Sequence, residues 1–79
     1  MMDYLQAILT PLLTRKEELS IVETHDDRGV LFTVELHKDD MGRVIGRAGS
    51  HINKIREMMN LYGFLNQARI SVKIVEPKV

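Results

Sequence analysis

Two glycines three apart, Gly46 and Gly49, force a bend into a stretch that otherwise has helical patterning, Val44 to Ile52 (VIGRAGSHI). The apolar pair Val44-Ile45 precedes them, a basic and a small residue (Arg47, Ala48) lie between, and Ile52 follows at helical spacing. Glycine lacks a Cβ, so such a bend brings backbone N–H groups close to an anion. The segment after it reads as a helix, whose N-terminal dipole end favours negative charge at the same place. A loop that grips through its backbone, with no catalytic side chain in it, points to binding rather than turnover.

On either side of this bend the patterning is regular. Tyr4, Leu5, Ile8, Leu9, Leu12 and Leu13 recur at helical spacing over Asp3 to Thr14, with Asp3 as a cap. Pro11 removes a backbone donor and crowds the turn before it, so a kink or break is expected near Thr10 with the apolar face carried through. Arg15 to Glu18 reads as a charged connector. Leu19 to Thr24 reads as a short strand, and His25 to Gly29 as a turn with Gly29 at positive φ. Val30, Phe32, Val34 and Leu36 alternate with Leu31, Thr33, Glu35 and His37, the clearest strand in the chain. The two strands are expected to form an antiparallel hairpin.

Asp39 or Asp40 is placed to cap a short helix over Met41 to Ile45. A longer helix, capped by Gly49 or Ser50, carries Ile52, Ile55, Met59 and Tyr62 on one face. Gly63 is placed to end it in the left-handed conformation, with Phe64 or Leu65 folding back. Ala68, Ile70, Val72 and Ile74 alternate in a last strand that Pro77 stops.

Seventy-nine residues suffice for one domain, which buries about 60–65% of its unfolded surface. With no cysteine, disulfides and thiolate metal sites are excluded, and a reducing cytoplasm is the expected location. Apolar runs are far too short to span a membrane, and neither a signal peptide nor a membrane partner is expected. The net charge is zero, yet it is unevenly spread. Residues 1–40 hold four Lys/Arg against nine Asp/Glu, whereas residues 41–79 hold seven against two. Arg43, Arg47, Lys54 and Arg56 fall within sixteen residues that contain no acid. A polyanion would meet a positive face on a neutral molecule. His25, His37 and His51 are scattered over a turn, a strand and a helix start, and the aspartates fit turn and cap duties. No metal, no cofactor and no nucleophile–base pair is expected, so the chain does not read as an enzyme.

The element order, with Val44-Ile45-Gly46-Arg47-Ala48-Gly49 between the two middle helices and Ile52 and Ile55 after it, resembles the type II KH domain of bacterial RNA-binding proteins. The resemblance covers essentially all of residues 1–79, with the GxxG loop at 46–49, and is nearest the small stand-alone KhpA-like group. It implies an α+β fold (α-β-β-α-α-β), a three-stranded mixed sheet with the helices packed on one face. It also implies a groove that holds about four single-stranded nucleotides. Backbone groups from Gly46 to Gly49 and Ser50 would take phosphates, with Arg43 and Arg47 adding charge. Val44 or Ile45, Ala48 and Ile52, with Ile70 or Val72, would form an apolar floor, and Lys54 and Arg69 would reach in from either wall. Few aromatics are available for stacking, so micromolar affinity or weaker is expected. The implied partner is single-stranded RNA, in a chaperone or post-transcriptional role. A larger KhpB-like KH protein or a homodimer is the alternative, protein-interaction reading. Pro11, and one loop cation where the family has two, depart from the pattern.

Overall fold

The computed structural model describes residues 2–75. The elements are α1 (Met2–Leu9), β1 (Ser20–Asp26), β2 (Gly29–Glu35), α2 (Lys38–Ile45), α3 (Ser50–Leu65) and β3 (Ile70–Val75). Their order is the α-β-β-α-α-β order expected from the sequence; Pro77 lies outside the described residues. The sheet runs β1-β2-β3. β1 and β2 pair antiparallel from Ser20↔Glu35 to Asp26↔Gly29, and β2 and β3 pair parallel from Val30↔Ile70 to Glu35↔Val75. An antiparallel pair needs only a tight turn, whereas a parallel pair needs a crossover, which α2 and α3 supply. The bend at residues 46–49 falls inside that crossover.

The hairpin turn is shorter than expected. Asp26 Oδ1 accepts hydrogen bonds from the N–H groups of Arg28 (2.7 Å) and Gly29 (3.1 Å), and this local closure lets β1 pair through to Asp26. Val30, Phe32 and Val34 of β2 and Ile70 and Val72 of β3 share the buried face of the sheet. Leu5, Leu9, Leu13, Val44, Ile52, Ile55 and Met59 from the helical layer close over it. Each such side chain contributes about 1.5–3 kcal/mol on burial, so this layer holds the crossover in place.

Around Pro11 the outcome follows the expectation. The α-helix stops at Leu9, and Thr10–Leu12 tighten into a 3-10 turn. Pro11 has no N–H to offer, and Thr10 Oγ1 donates to the Gln6 carbonyl at 2.6 Å. Leu5, Leu9 and Leu13 are all buried, so the apolar face passes through the break. Asp3 lies within the first turn rather than at the cap.

Capping of α2 requires a correction. The helix begins at Lys38, and His37 caps it, its Nδ1 accepting from the Asp39 N–H at 3.0 Å. Asp40 is instead fully buried. One carboxylate oxygen accepts from the Thr14 hydroxyl (2.7 Å) and N–H (3.0 Å), the other from the Arg15 N–H (3.0 Å). This clamp ties the chain leaving the first helical segment to α2. The hydroxyl and amide of Thr14 lead in holding the carboxyl below its ordinary value, helped by the Arg15 amide and the Arg43 charge, and together they outweigh burial. A folded-state value that is lowered stabilises the fold fully above the unfolded value, about pH 3.9. That contribution fades as pH falls through the folded value. Asp40→Asn is expected to lower the melting temperature at neutral pH more than Asp39→Asn, whose side chain is 55% exposed. It is also expected to flatten the acid limb of stability below about pH 4, as read by circular-dichroism melts across that range.

Gly63 also departs from expectation. α3 continues through Phe64 and Leu65, Asn66 caps it, and Gln67 takes the left-handed φ of +57°. Phe64 and Leu65 do not fold back; they are 78% and 71% exposed. The glycine answers a need for space: a Cβ there would stand 2.6 Å from the Ala68 carbonyl oxygen and 3.0 Å from Ile70 Cγ1.

Candidate nucleic-acid interface

Between α2 and α3 the backbone turns through three residues with positive φ: Gly46 (+76°), Ala48 (+54°) and Gly49 (+78°). The left-handed conformation costs a non-glycine residue on the order of 1 kcal/mol, so Ala48 holds stored strain. At Gly46 there is no room either, since a Cβ would lie 2.6 Å from His51 Cγ and 2.8 Å from the His51 nitrogen. His51 Nδ1 donates to the Arg43 carbonyl at 2.6 Å, tying the start of α3 to the end of α2.

Not every amide in the bend is open. The Gly46 N–H donates to Gly42 O (2.8 Å) and the Gly49 N–H to Gly46 O (3.2 Å). Gly46, at φ +76° and ψ 173°, ends the α2 ladder, and the N–H groups of Arg47 and Ala48 beyond it have no turn or loop partner among the described residues. Both residues are exposed, at the N-terminal end of the sixteen-residue α3. Consecutive amides around a left-handed residue form a concavity suited to an oxyanion, and the helix dipole adds to it. The glycines shape the loop, while the residues between them supply the donors.

Of the other residues expected here, Arg43 and Ser50 are exposed beside the bend, and Ile45 is half-buried. Val44 has no exposed surface, and Ile52, Ile70 and Val72 are at most 7% exposed. These four side chains belong to the core, so of the expected floor residues Ile45 and Ala48 are the ones that leave apolar surface at the loop. The two expected wall residues lie on different parts of the fold. Arg69 lies beyond the far end of α3, against the β1–β2 turn, where it lines a cavity of about 320 Å³ with Asp26 and Arg28. Lys54 is two residues, about 200° of helix, from Arg56 and faces away from β3.

Arg56, one of the four cations between Met41 and Arg56, is the cation at the wall between α3 and β3. Its Nε donates to the Val72 carbonyl at 3.3 Å. A cavity of about 290 Å³ opens there between α3 and the free edge of β3, lined by Arg56, Asn60, Ile70, Ser71 and Val72. Arg56 is four residues past Ile52 and next to Ile55, and that spacing was the signal that set it on the sheet-facing flank of α3. Among the described residues no group of three His, Cys, Asp or Glu is placed to hold a metal ion. No helix of the described residues is long and apolar enough to cross a membrane.

The family description "KhpA/KhpB, KH domain" matches residues 2–74. The chain belongs to this family. Among KhpA/KhpB relatives, the RNA-binding protein KhpA of Chlamydia caviae is 31% identical over 78 residues, 99% of this chain and 100% of that protein. The RNA-binding protein KhpA of Listeria monocytogenes is 30% identical over 76 residues, 96% of this chain and all of the relative. That of Bacillus subtilis is 24% identical over 74 residues, 94% and 91% of the two chains. No solved structure matches the chain significantly. The three-stranded mixed sheet and the bend between α2 and α3 are consistent with a KH fold in this family.

Proposed function

We propose that this KH chain, acting as one domain in the cytoplasm, binds single-stranded RNA as a chaperone or post-transcriptional regulator. The exposed amides of Arg47 and Ala48 at the N-terminus of α3, past the point where Gly46 ends the α2 ladder, carry this reading. In it they hold a phosphate, Arg43, Arg47 and Ser50 flank it, and Gly46 and Gly49 set the bend. Bases then follow Ile45, Ala48 and the flank of α3 toward Arg56 and Val72. Relatives matched over nearly their whole length are named RNA-binding proteins, which supports the same reading.

A second reading rests on Met58, Leu61 and Leu65, which share one face of α3 and are 42%, 60% and 71% exposed. In that reading this apolar stripe docks a second copy or a KhpB-like KH protein. The two readings are compatible, because the stripe faces away from the β3 edge. Titration of the 15N-labelled protein with a mixed-sequence RNA pentamer, with light scattering on the same samples, separates them. RNA binding predicts shifts at residues 46–52 and around Arg56 and Val72, with a log–log salt slope of about −1.4 to −2.8 for two to four phosphates. A dimer that ignores RNA, with no shift near Gly46, would leave only the second reading.

A further inference from the structure

Within a strand, the N–H and C=O of one residue point the same way and successive residues alternate between the two edges. The Arg69 carbonyl accepts from the Val30 N–H of β2 at 2.7 Å. Odd-numbered positions of β3 therefore face β2, while Ile70, Val72 and Ile74 turn their peptide groups to the free edge. A bare edge offers a carbonyl acceptor next to an N–H donor. Here the Val72 acceptor is taken by Arg56 Nε. A guanidinium carries five N–H donors and no acceptor. With Nε turned to Val72, its terminal nitrogens remain for the cavity that Arg56 and Asn60 line. At Val72 the side chain replaces a carbonyl acceptor with guanidinium donors.

We propose, resting on the RNA-binding reading above, that Arg56 makes this cavity selective for guanine. Guanine presents two adjacent acceptors, N7 and O6, which match the guanidinium fork. The amino groups of adenine and cytosine bring donors against donors and are disfavoured. Uracil has two keto oxygens, but an N–H separates them, so the fork finds no adjacent pair. Asn60 lies one turn beyond Arg56 on the same flank and completes the polar lining.

The test is fluorescence anisotropy with four RNA pentamers, UUGUU, UUAUU, UUCUU and UUUUU. The unmodified protein is expected to bind the guanine pentamer about tenfold more tightly than the adenine or cytosine ones. Replacing that guanine with 7-deazaguanine, which lacks N7, is expected to remove much of the advantage. Arg56→Met is expected to erase it and to raise adenine and cytosine relative to guanine, because the Val72 carbonyl is released. Arg56→Lys keeps the charge without the fork, and is expected to lose the preference with a smaller loss of overall affinity than Arg56→Met. Arg56 is exposed, and an unchanged amide spectrum verifies that each variant folds. Equal affinity for all four pentamers overturns guanine selection and leaves RNA binding standing. An equal loss on all four in Arg56→Met makes the residue a phosphate contact and also overturns the proposal. If no pentamer binds, the RNA-binding reading falls and takes this one with it.

Discussion

A protein carrying both Arg47→Asp and Ala48→Asp is expected to lose RNA binding by about a hundredfold or more while keeping its fold. The pair removes one positive charge and places two negative ones beside the exposed Arg47 and Ala48 amides that the proposed site uses for phosphate. Like charges about 4 Å apart cost roughly 1 kcal/mol even in bulk water and more beside protein. Three such changes therefore reach about 3 kcal/mol, or a hundredfold in Kd. The fold is spared because both side chains are exposed. Ala48 already has φ +54°, a conformation that aspartate adopts more readily than alanine, so strain does not increase. Arg47→Asn with Ala48→Asn is the informative control. It removes the cation but adds no anion, and is expected to fall between the two proteins. Anisotropy with an RNA pentamer gives the affinities, and far-ultraviolet circular dichroism checks the helices. Wild-type affinity in the Asp pair would move the phosphate site away from this bend.

How far the sequence led depends on whether each decision was local. The alternation of Val30, Phe32 and Val34 needs no partner to be read, and it named the buried face of β2. The break at Pro11 and the bend at Gly46–Gly49 follow from backbone sterics within a few residues. Asp40 is the opposite case. Its partners, Thr14 and Arg15, are twenty-six and twenty-five residues away, so the local rule gave it a cap that His37 in fact provides. The Val44-Ile45 pair is intermediate: one of the two had to enter the core, and only packing decides that Val44 does.

The site shows the same division. The loop was legible; its walls were not. Lys54 and Arg56 look interchangeable as members of a basic run, yet helical angle sets them on different sides of α3, and Ile52, Ile55 and Met59 already marked the core side. Arg69 precedes Ile70 in an alternating strand, which puts it on the other face of the sheet from the core. A groove wall requires knowing which strand edge is free. That is a property of strand order, which no single segment carries.

Gly63 is where the largest loss of stability is expected, and two opposing effects make the outcome informative. In an exposed helix, replacing glycine by alanine gains about 1 kcal/mol. Gly42 in α2, with nothing within 4 Å of an added Cβ, is the matched case, and Gly42→Ala is expected to stabilise by up to about that amount. At Gly63 the same atom would lie 2.6 Å from the Ala68 carbonyl oxygen, which is backbone and cannot rotate away. The Ala68 N–H also donates to Gly63 O at 2.7 Å, and Gln67 between them is already left-handed, so the connection has little freedom to yield. Overpacking of this kind costs about 1–3 kcal/mol, more than the helical gain. Gly63→Ala is therefore expected to destabilise by about 1–2 kcal/mol. Gly63→Val, which also presses on Ile70 and is a poorer helix former, should lose about 3 kcal/mol or more. At roughly 4–8 °C per kcal/mol for a domain of this size, the valine variant should melt well over 10 °C lower. Urea unfolding curves for Gly42→Ala, Gly63→Ala and Gly63→Val measure all three. Stabilisation by Gly63→Ala equal to that at Gly42 would mean that α3 and the start of β3 are not in close contact. The cavity beside Arg56 would then lose the wall that fixes Val72 against it.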